Sequence, residues 1–187
     1  MSFKDETLVF TENEIYFGEI DHNKEQVMMD WEDSIMEASA NYVCQNGGDI
    51  LEIGFGMGIS ADYIQDNNIT SHTIVELHPD ILNKAYAWAE GKENVNIIAG
   101  DWYSSLDVLG TYDGVFYDTF GDTNIINFKD SLNSITKSGC MVTWWNNLSE
   151  ENNSLGITGV TYEKIQITPP SNTYFNHEFY YLPKKEY

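Results

Sequence analysis

The chain has 187 residues, enough for one domain that buries about 70% of its unfolded surface. Its formal charge is −21, with 30 acidic residues against 9 basic ones, and every basic residue is lysine. That balance excludes the basic footprint that nucleic acid requires. It favours a cationic ligand drawn in by the protein's field, while most of the acidic surface serves solubility.

No run approaches the ~20 apolar residues of a membrane span. No basic segment followed by an apolar one opens the chain as a secretory leader would. The two cysteines, Cys44 and Cys140, form no metal-type cluster. Together these features predict a cytoplasmic protein that needs no metal and binds neither membrane nor nucleic acid. Monomer and homodimer both remain open.

In chain order, residues 1–26 carry two apolar runs, 7–10 and 14–17, separated by Thr11-Glu12-Asn13. They read either as a small hairpin or as an arm that folds over a site. From residue 27 to about 46 the pattern turns helical. Trp31, Ile35, Ala38 and Tyr42 make a core-facing stripe, and Met28, Glu32 and Met36 lie on an adjacent one. A carboxylate between two methionines is unusual, although by itself a glutamate there snorkels to water.

The organising stretch comes next. A short aliphatic strand over 50–53 meets Gly54, Gly56 and Gly58 at alternate positions, followed by a helix to about residue 65. This is the strand, tight turn and helix N-terminus that open a doubly wound α/β domain. Dinucleotide folds want Gly-x-Gly-x-x-Gly, and here the third glycine comes one residue early. Glu52, two positions before the first glycine, would repel a pyrophosphate and suit a cation. The acidic-x-Gly-x-Gly-x-Gly pattern resembles motif I of class I S-adenosylmethionine-dependent methyltransferases.

A second strand over 73–76 ends in Glu76, twenty residues beyond Gly56, where an acid accepts hydrogen bonds from ribose hydroxyls. His78-Pro79-Asp80 then starts a helix with proline in its first turn. A third strand over 95–99 leads to Gly100-Asp101-Trp102. Asp101 is placed to hydrogen-bond an adenine, and Trp102 either to pack against it or to fill the core. A fourth strand over 114–117 ends at Asp118-Thr119, on the same rim as the glycine turn and Glu76. A helix over 124–136 and a fifth strand over 141–145 follow. Two runs, 160–168 and 178–182, alternate like strands and form an antiparallel C-terminal edge, joined by the rigid Pro169-Pro170-Ser171-Asn172. Strands alternate with helices, so the fold class is α/β, a single Rossmann-like doubly wound domain with a mostly parallel sheet.

Three blocks carry a closer likeness. Val27-Met28-Met29-Asp30-Trp31-Glu32-Asp33-Ser34-Ile35-Met36, Ile50 to Gly58, and Tyr112 to Phe120 resemble the Val-Met-x-x-Trp-Glu-x-x-x-Met, Leu-Glu-Val-Gly-Phe-Gly-Met and Phe-Asp-Gly-Ile-Leu-Tyr-Asp-Thr-Tyr segments of guanidinoacetate N-methyltransferases. Pro169-Pro170 followed by Tyr174 resembles that family's late Pro-Pro segment. The fungal arginine methyltransferases that modify the δ-nitrogen share these signatures. The likeness covers residues 27–187 and leaves 1–26 as an N-terminal arm or lid.

The resemblance implies S-adenosylmethionine held by Met28, Glu52, Gly54, Gly56, Gly58, Glu76, Asp101 and Trp102. It implies Glu32 and Asp118 as the catalytic carboxylates that grip a guanidinium. Trp31, Met36, Thr119, Leu148 and Ser149 complete the implied substrate site. The family's insertion after the fifth strand is absent, and only about ten residues join Ser149 to the next strand. With no arginine in the chain, a substrate carboxylate has backbone N–H groups, Ser149 or a lysine to meet it. The leading expectation is methyl transfer to a small, guanidinoacetate-like molecule. The alternatives are protein arginine methylation and a non-catalytic S-adenosylmethionine-binding protein.

Overall fold

The computed structural model describes residues 3–18 and 25–187. The chain opens with β1 (Leu8–Phe10), β2 (Glu14–Phe17) and β3 (Gln26–Met29), an antiparallel three-stranded sheet. The hairpin reading of residues 7–17 therefore holds. Residues 1–2 and 19–24 of the expected arm lie outside the described residues.

The helix expected from residue 27 begins later, as α1 (Asp33–Val43). Residues 26–29 pair as a strand with β2, Ile15 opposite Met28, and a 3₁₀ turn over Asp30–Glu32 follows. Glu32 causes part of this change, because its carboxylate accepts the Met29 N–H at 2.9 Å and turns the chain there. The buried stripe of α1 is Ile35, Met36, Ser39, Ala40 and Val43, whereas Ala38 and Tyr42 are only half-buried. The Met28–Glu32–Met36 line thus faces the interior, the reverse of a snorkelling glutamate.

The main domain continues as β4 (Asp49–Ile53), α2 (Ile59–Gln65), β5 (Ser71–Glu76), α3 (Pro79–Ala89), β6 (Val95–Ala99), β7 (Tyr112–Tyr117), α4 (Phe128–Ile135), β8 (Thr136–Trp144), β9 (Thr161–Gln166) and β10 (Phe179–Glu186). The sheet order is β6-β5-β4-β7-β8-β10-β9. Strands β4 to β8 run parallel, and β10 is antiparallel to both β8 and β9. The last strand therefore inserts inside the sheet, leaving β9 at its edge.

Both faces of the sheet are covered, so the central strands are apolar on both sides. Period-two alternation sorts their side chains. Leu51, Ile53, Val115 and Tyr117 join the core under α4, while Ile50 and Phe116 join the core under α1 and α2. Gly114 permits α1 to sit close, since a Cβ there would lie 2.1 Å from the Val43 carbonyl oxygen. Among the described residues no helix is long and apolar enough to cross a membrane.

Candidate active site

The carboxyl ends of β4, β5, β6 and β7 open into a cavity of about 780 Å³. The order reversal between β4 and its two neighbours creates the crevice where ligands bind in open α/β sheets. Gly54 ends β4 with φ +94°, and a Cβ there would lie 1.8 Å from the Asp118 carbonyl oxygen. Only glycine lets β4 and the end of β7 approach this closely. Gly56, at φ +54°, rests on Met28, whose sulfur also meets the Met57 N–H at 3.2 Å. Gly58 caps α2 in the left-handed region, packs on Phe55 and lies off the cavity wall.

At one end of the cavity, Glu76 accepts backbone N–H groups on both oxygens, Phe55 at 2.9 Å and His78 at 2.7 Å. These bonds fix the carboxylate at the cavity wall, and burial raises its pKa. Asp101 accepts from the Ser104 N–H and from the Asn124 side-chain amide, both at 2.8 Å. Trp102 is a core residue at this end. It is 3% exposed and packs on Tyr117 and Phe128, and its indole N–H donates to Asp122 at 2.6 Å. Trp102 thus belongs to the core and also lines the cavity. Leu77, Asp122 and Asn124 also line this end. Sequence reading missed all three, although Leu77 directly follows the strand-ending acid.

At the other end stand Glu32, Asp118 and Tyr174. Glu32 is 4% exposed, and its Oε1 accepts both the Met29 N–H at 2.9 Å and the Tyr174 hydroxyl at 2.6 Å. Its Oε2 has no hydrogen-bond partner among the described residues. The Asp118 carboxylate, partly accessible from the cavity, likewise receives no hydrogen bond from a described residue. Burial and then repulsion from Asp118 push Glu32 up to about 8, against the opposing pull of its two hydrogen bonds. Burial and then Glu52 push Asp118 up to about 7. Two unneutralised carboxyls facing one lumen resist ionisation together until a cation arrives.

Several expected site residues sit elsewhere. Glu52 is fully buried and turned away from the cavity, accepting hydrogen bonds from the Ser60 hydroxyl and from His72 Nε2 at 3.0 Å. It braces the turn from behind the cavity wall. Met36 is wholly inside the core. Trp31 lies behind the cavity wall, stacked on Tyr174 and Phe175 with ring centroids 5.9 and 6.0 Å away. Leu148 and Ser149 lie off the wall too. The Leu148 N–H donates to Asn146 Oδ1 at 3.1 Å, and the Ser149 hydroxyl to the Phe179 carbonyl at 2.6 Å. Thr119 lines the cavity as expected, joined by Trp145 and Asn147. No group of three or more potential metal ligands occurs among the described residues.

The residues present fit S-adenosylmethionine. A doubly held carboxylate suits ribose hydroxyls, the glycine turn leaves backbone open to the lumen, and the acidic far end suits a sulfonium and a cationic acceptor. Sheet order and site together define a class I S-adenosylmethionine-dependent methyltransferase. The N-methyltransferase NodS from Bradyrhizobium japonicum superposes with a TM-score of 0.64 at 13% identity, covering 83% of this chain and 96% of that one. The sequence profile of guanidinoacetate N-methyltransferase matches residues 10–150, and the chain belongs to that family. Protein arginine N-methyltransferase 2 of Kluyveromyces lactis is 37% identical over 142 residues, covering 69% of this chain and 35% of the relative. Its counterpart in Saccharomyces cerevisiae is 34% identical over 165 residues, covering 81% and 37%. The chain thus spans about a third of the length of these fungal relatives.

Proposed function

We propose that this methyltransferase acts on a guanidino nitrogen, with Glu32 and Asp118 holding the guanidinium. The observation that carries the reading is the pair of carboxylates, Glu32 buried and Asp118 half-buried, with open oxygens on one cavity and no neighbouring cation among the described residues. A planar guanidinium matches such a pair through charge-assisted, bidentate hydrogen bonds. A structural ion pair would instead bring its own lysine. A pure cofactor binder would have no use for the pair.

When bound, S-adenosylmethionine supplies an electrophilic methyl carried on a sulfonium. The chain's residues must then turn a poor nucleophile toward it. A guanidinium has a pKa above 12, and its protonated nitrogens offer no free lone pair. Glu32, anchored through Oε1, presents Oε2 to one edge of the guanidinium and fixes its plane. Asp118 would face the reacting nitrogen and accept its proton as the methyl is transferred. Holding the guanidinium in one orientation toward the methyl donor would contribute up to ~7–11 kcal/mol in favourable cases.

Two tails can carry this guanidinium head. One is the short carboxylate tail of guanidinoacetate, after which the family is named. The other is peptide-borne arginine, supported by the name of the fungal relatives. The test is release of S-adenosylhomocysteine with a set of guanidines against matched primary amines and a no-substrate control. Release with guanidines alone is expected. Equal release with the amines would overturn the reading.

A further inference from the structure

We infer, resting on the guanidino reading above, that the substrate end of this cavity selects a guanidinium whose tail carries no carboxylate. Its ligand is a guanidine on an uncharged or cationic tail, and guanidinoacetate is a poor one. The argument concerns what surrounds Glu32 and Asp118. The residues lining that end with them are Trp145, Asn147, Tyr174 and Thr119, all neutral.

Two of the groups that would meet a substrate carboxylate are engaged inside the protein, and the donors left on the wall, such as the Asn147 amide, are neutral. The Ser149 hydroxyl is held by the Phe179 carbonyl and the Leu148 N–H by Asn146, and neither residue reaches the cavity wall. Of the described lysines, Lys4 alone borders the cavity. It is solvent-exposed and follows Phe3, whose ring lies 5.1 Å from His78 and 5.3 Å from Phe120, on the side of the ribose-holding Glu76. Lys137 and Lys184 are paired with carboxylates elsewhere, and Lys84, Lys92, Lys164 and Lys185 lie over aromatic rings.

The charge balance points the same way. The guanidinium's single positive charge already faces two carboxylates. A further carboxylate on the tail would enter uncompensated, in a cavity also lined by Glu76, Asp101 and Asp122, in a chain of net charge −21. Repulsion between like charges is strong where water is partly excluded. The faces of Trp145 and Tyr174 instead offer packing for methylenes and attraction for a cation.

The experiment compares butylguanidine and agmatine with 3-guanidinopropionate and guanidinoacetate, and adds Nα-acetylarginine methylamide as a peptide mimic. Two readouts are taken: initial rates of S-adenosylhomocysteine release, and calorimetric binding to protein saturated with S-adenosylhomocysteine. The carboxylate-free compounds should exceed the carboxylates by about tenfold or more in kcat/KM and in affinity. The gap should narrow in high salt. Asn147→Lys, which adds an ammonium at the cavity wall, should shrink or reverse the preference. Agmatine ahead of the peptide mimic would assign the site to small guanidines, and the reverse order to peptide arginine; both support the tail rule. Guanidinoacetate equal to or better than butylguanidine would overturn it. Binding in the expected order without turnover would remove the transfer reading and leave the tail rule standing. No binding by any guanidine would remove both.

Discussion

The Tyr174 hydroxyl lies 2.6 Å from Oε1 of Glu32, a bond that spans 142 positions of sequence. With the Met29 N–H on the same oxygen, it occupies the inner half of the carboxylate and leaves the outer half to the cavity. The hydroxyl also stabilises the ionised carboxylate, in a place where burial works against ionisation.

Tyr174→Phe should therefore raise the pKa of Glu32 further and loosen its orientation. A hydrogen bond to a charged group is worth about 1.5–3 kcal/mol, so kcat/KM near neutral pH should fall roughly tenfold or more. The loss should fall mainly on KM, and the pH profile should shift toward alkali. A variant with an unmoved profile would assign Tyr174 to packing alone.

The carboxyl pair predicts a pH dependence with a defined sign. Glu32 and Asp118 stand at about 8 and about 7 without a cation, so a bound guanidinium must displace protons. As pH falls through 8 and then 7, log kcat/KM should decline with a slope approaching two. Calorimetry in buffers of different ionisation heat should register proton release on guanidinium binding. For stability, both folded pKa values lie above the ordinary carboxyl values of 4.5 and 3.8. The folded state holds these protons after the unfolded chain has lost them. This contribution is complete below about pH 4 and disappears as pH rises to about 8. Glu32→Gln should flatten that fall in Tm.

The two ends of the cavity should separate by mutation. Asp118→Asn keeps shape and removes the proton acceptor, so transfer should drop by about 10²–10⁴-fold. Affinity for S-adenosylhomocysteine should stay within a few-fold. Glu76→Ala should do the opposite, weakening that affinity while guanidine selectivity persists. A fully active Asp118→Asn variant would displace the proposed chemistry from this carboxylate.

Gly54→Ala is predicted to damage the fold before the chemistry. The added Cβ would lie 1.8 Å from the Asp118 carbonyl oxygen, at φ +94°. The positive φ alone costs about 1–3 kcal/mol, and the clash adds to it. A fall in Tm of at least about 5 °C is expected for a domain of this size. Cofactor affinity should fall with it, because Asp118 and the glycine turn are pushed apart.

What the sequence determined by itself was local and periodic. Short, continuous apolar runs over 50–53, 73–76 and 114–117 marked strands, and glycine spacing marked the turn that joins the first of them to α2. The chain direction then put Glu76 and Asp118 on one rim, because parallel strands share their carboxyl ends. Backbone geometry fixes those features within a few residues, so a short window reveals them.

Tertiary contact decided the rest. Residues 26–29 became β3 because β2 was there to pair with them, although the same residues continue a helical stripe. Glu52 turned inward because His72 and Ser60 offered hydrogen bonds on that side. The Leu148 N–H and Ser149 hydroxyl went to Asn146 and Phe179, and Tyr174 came back across the sheet to reach Glu32. Each of these choices compares partners distant in sequence. A buried carboxylate acquires its pKa, its open oxygen and its ligand only from the neighbours that folding brings to it.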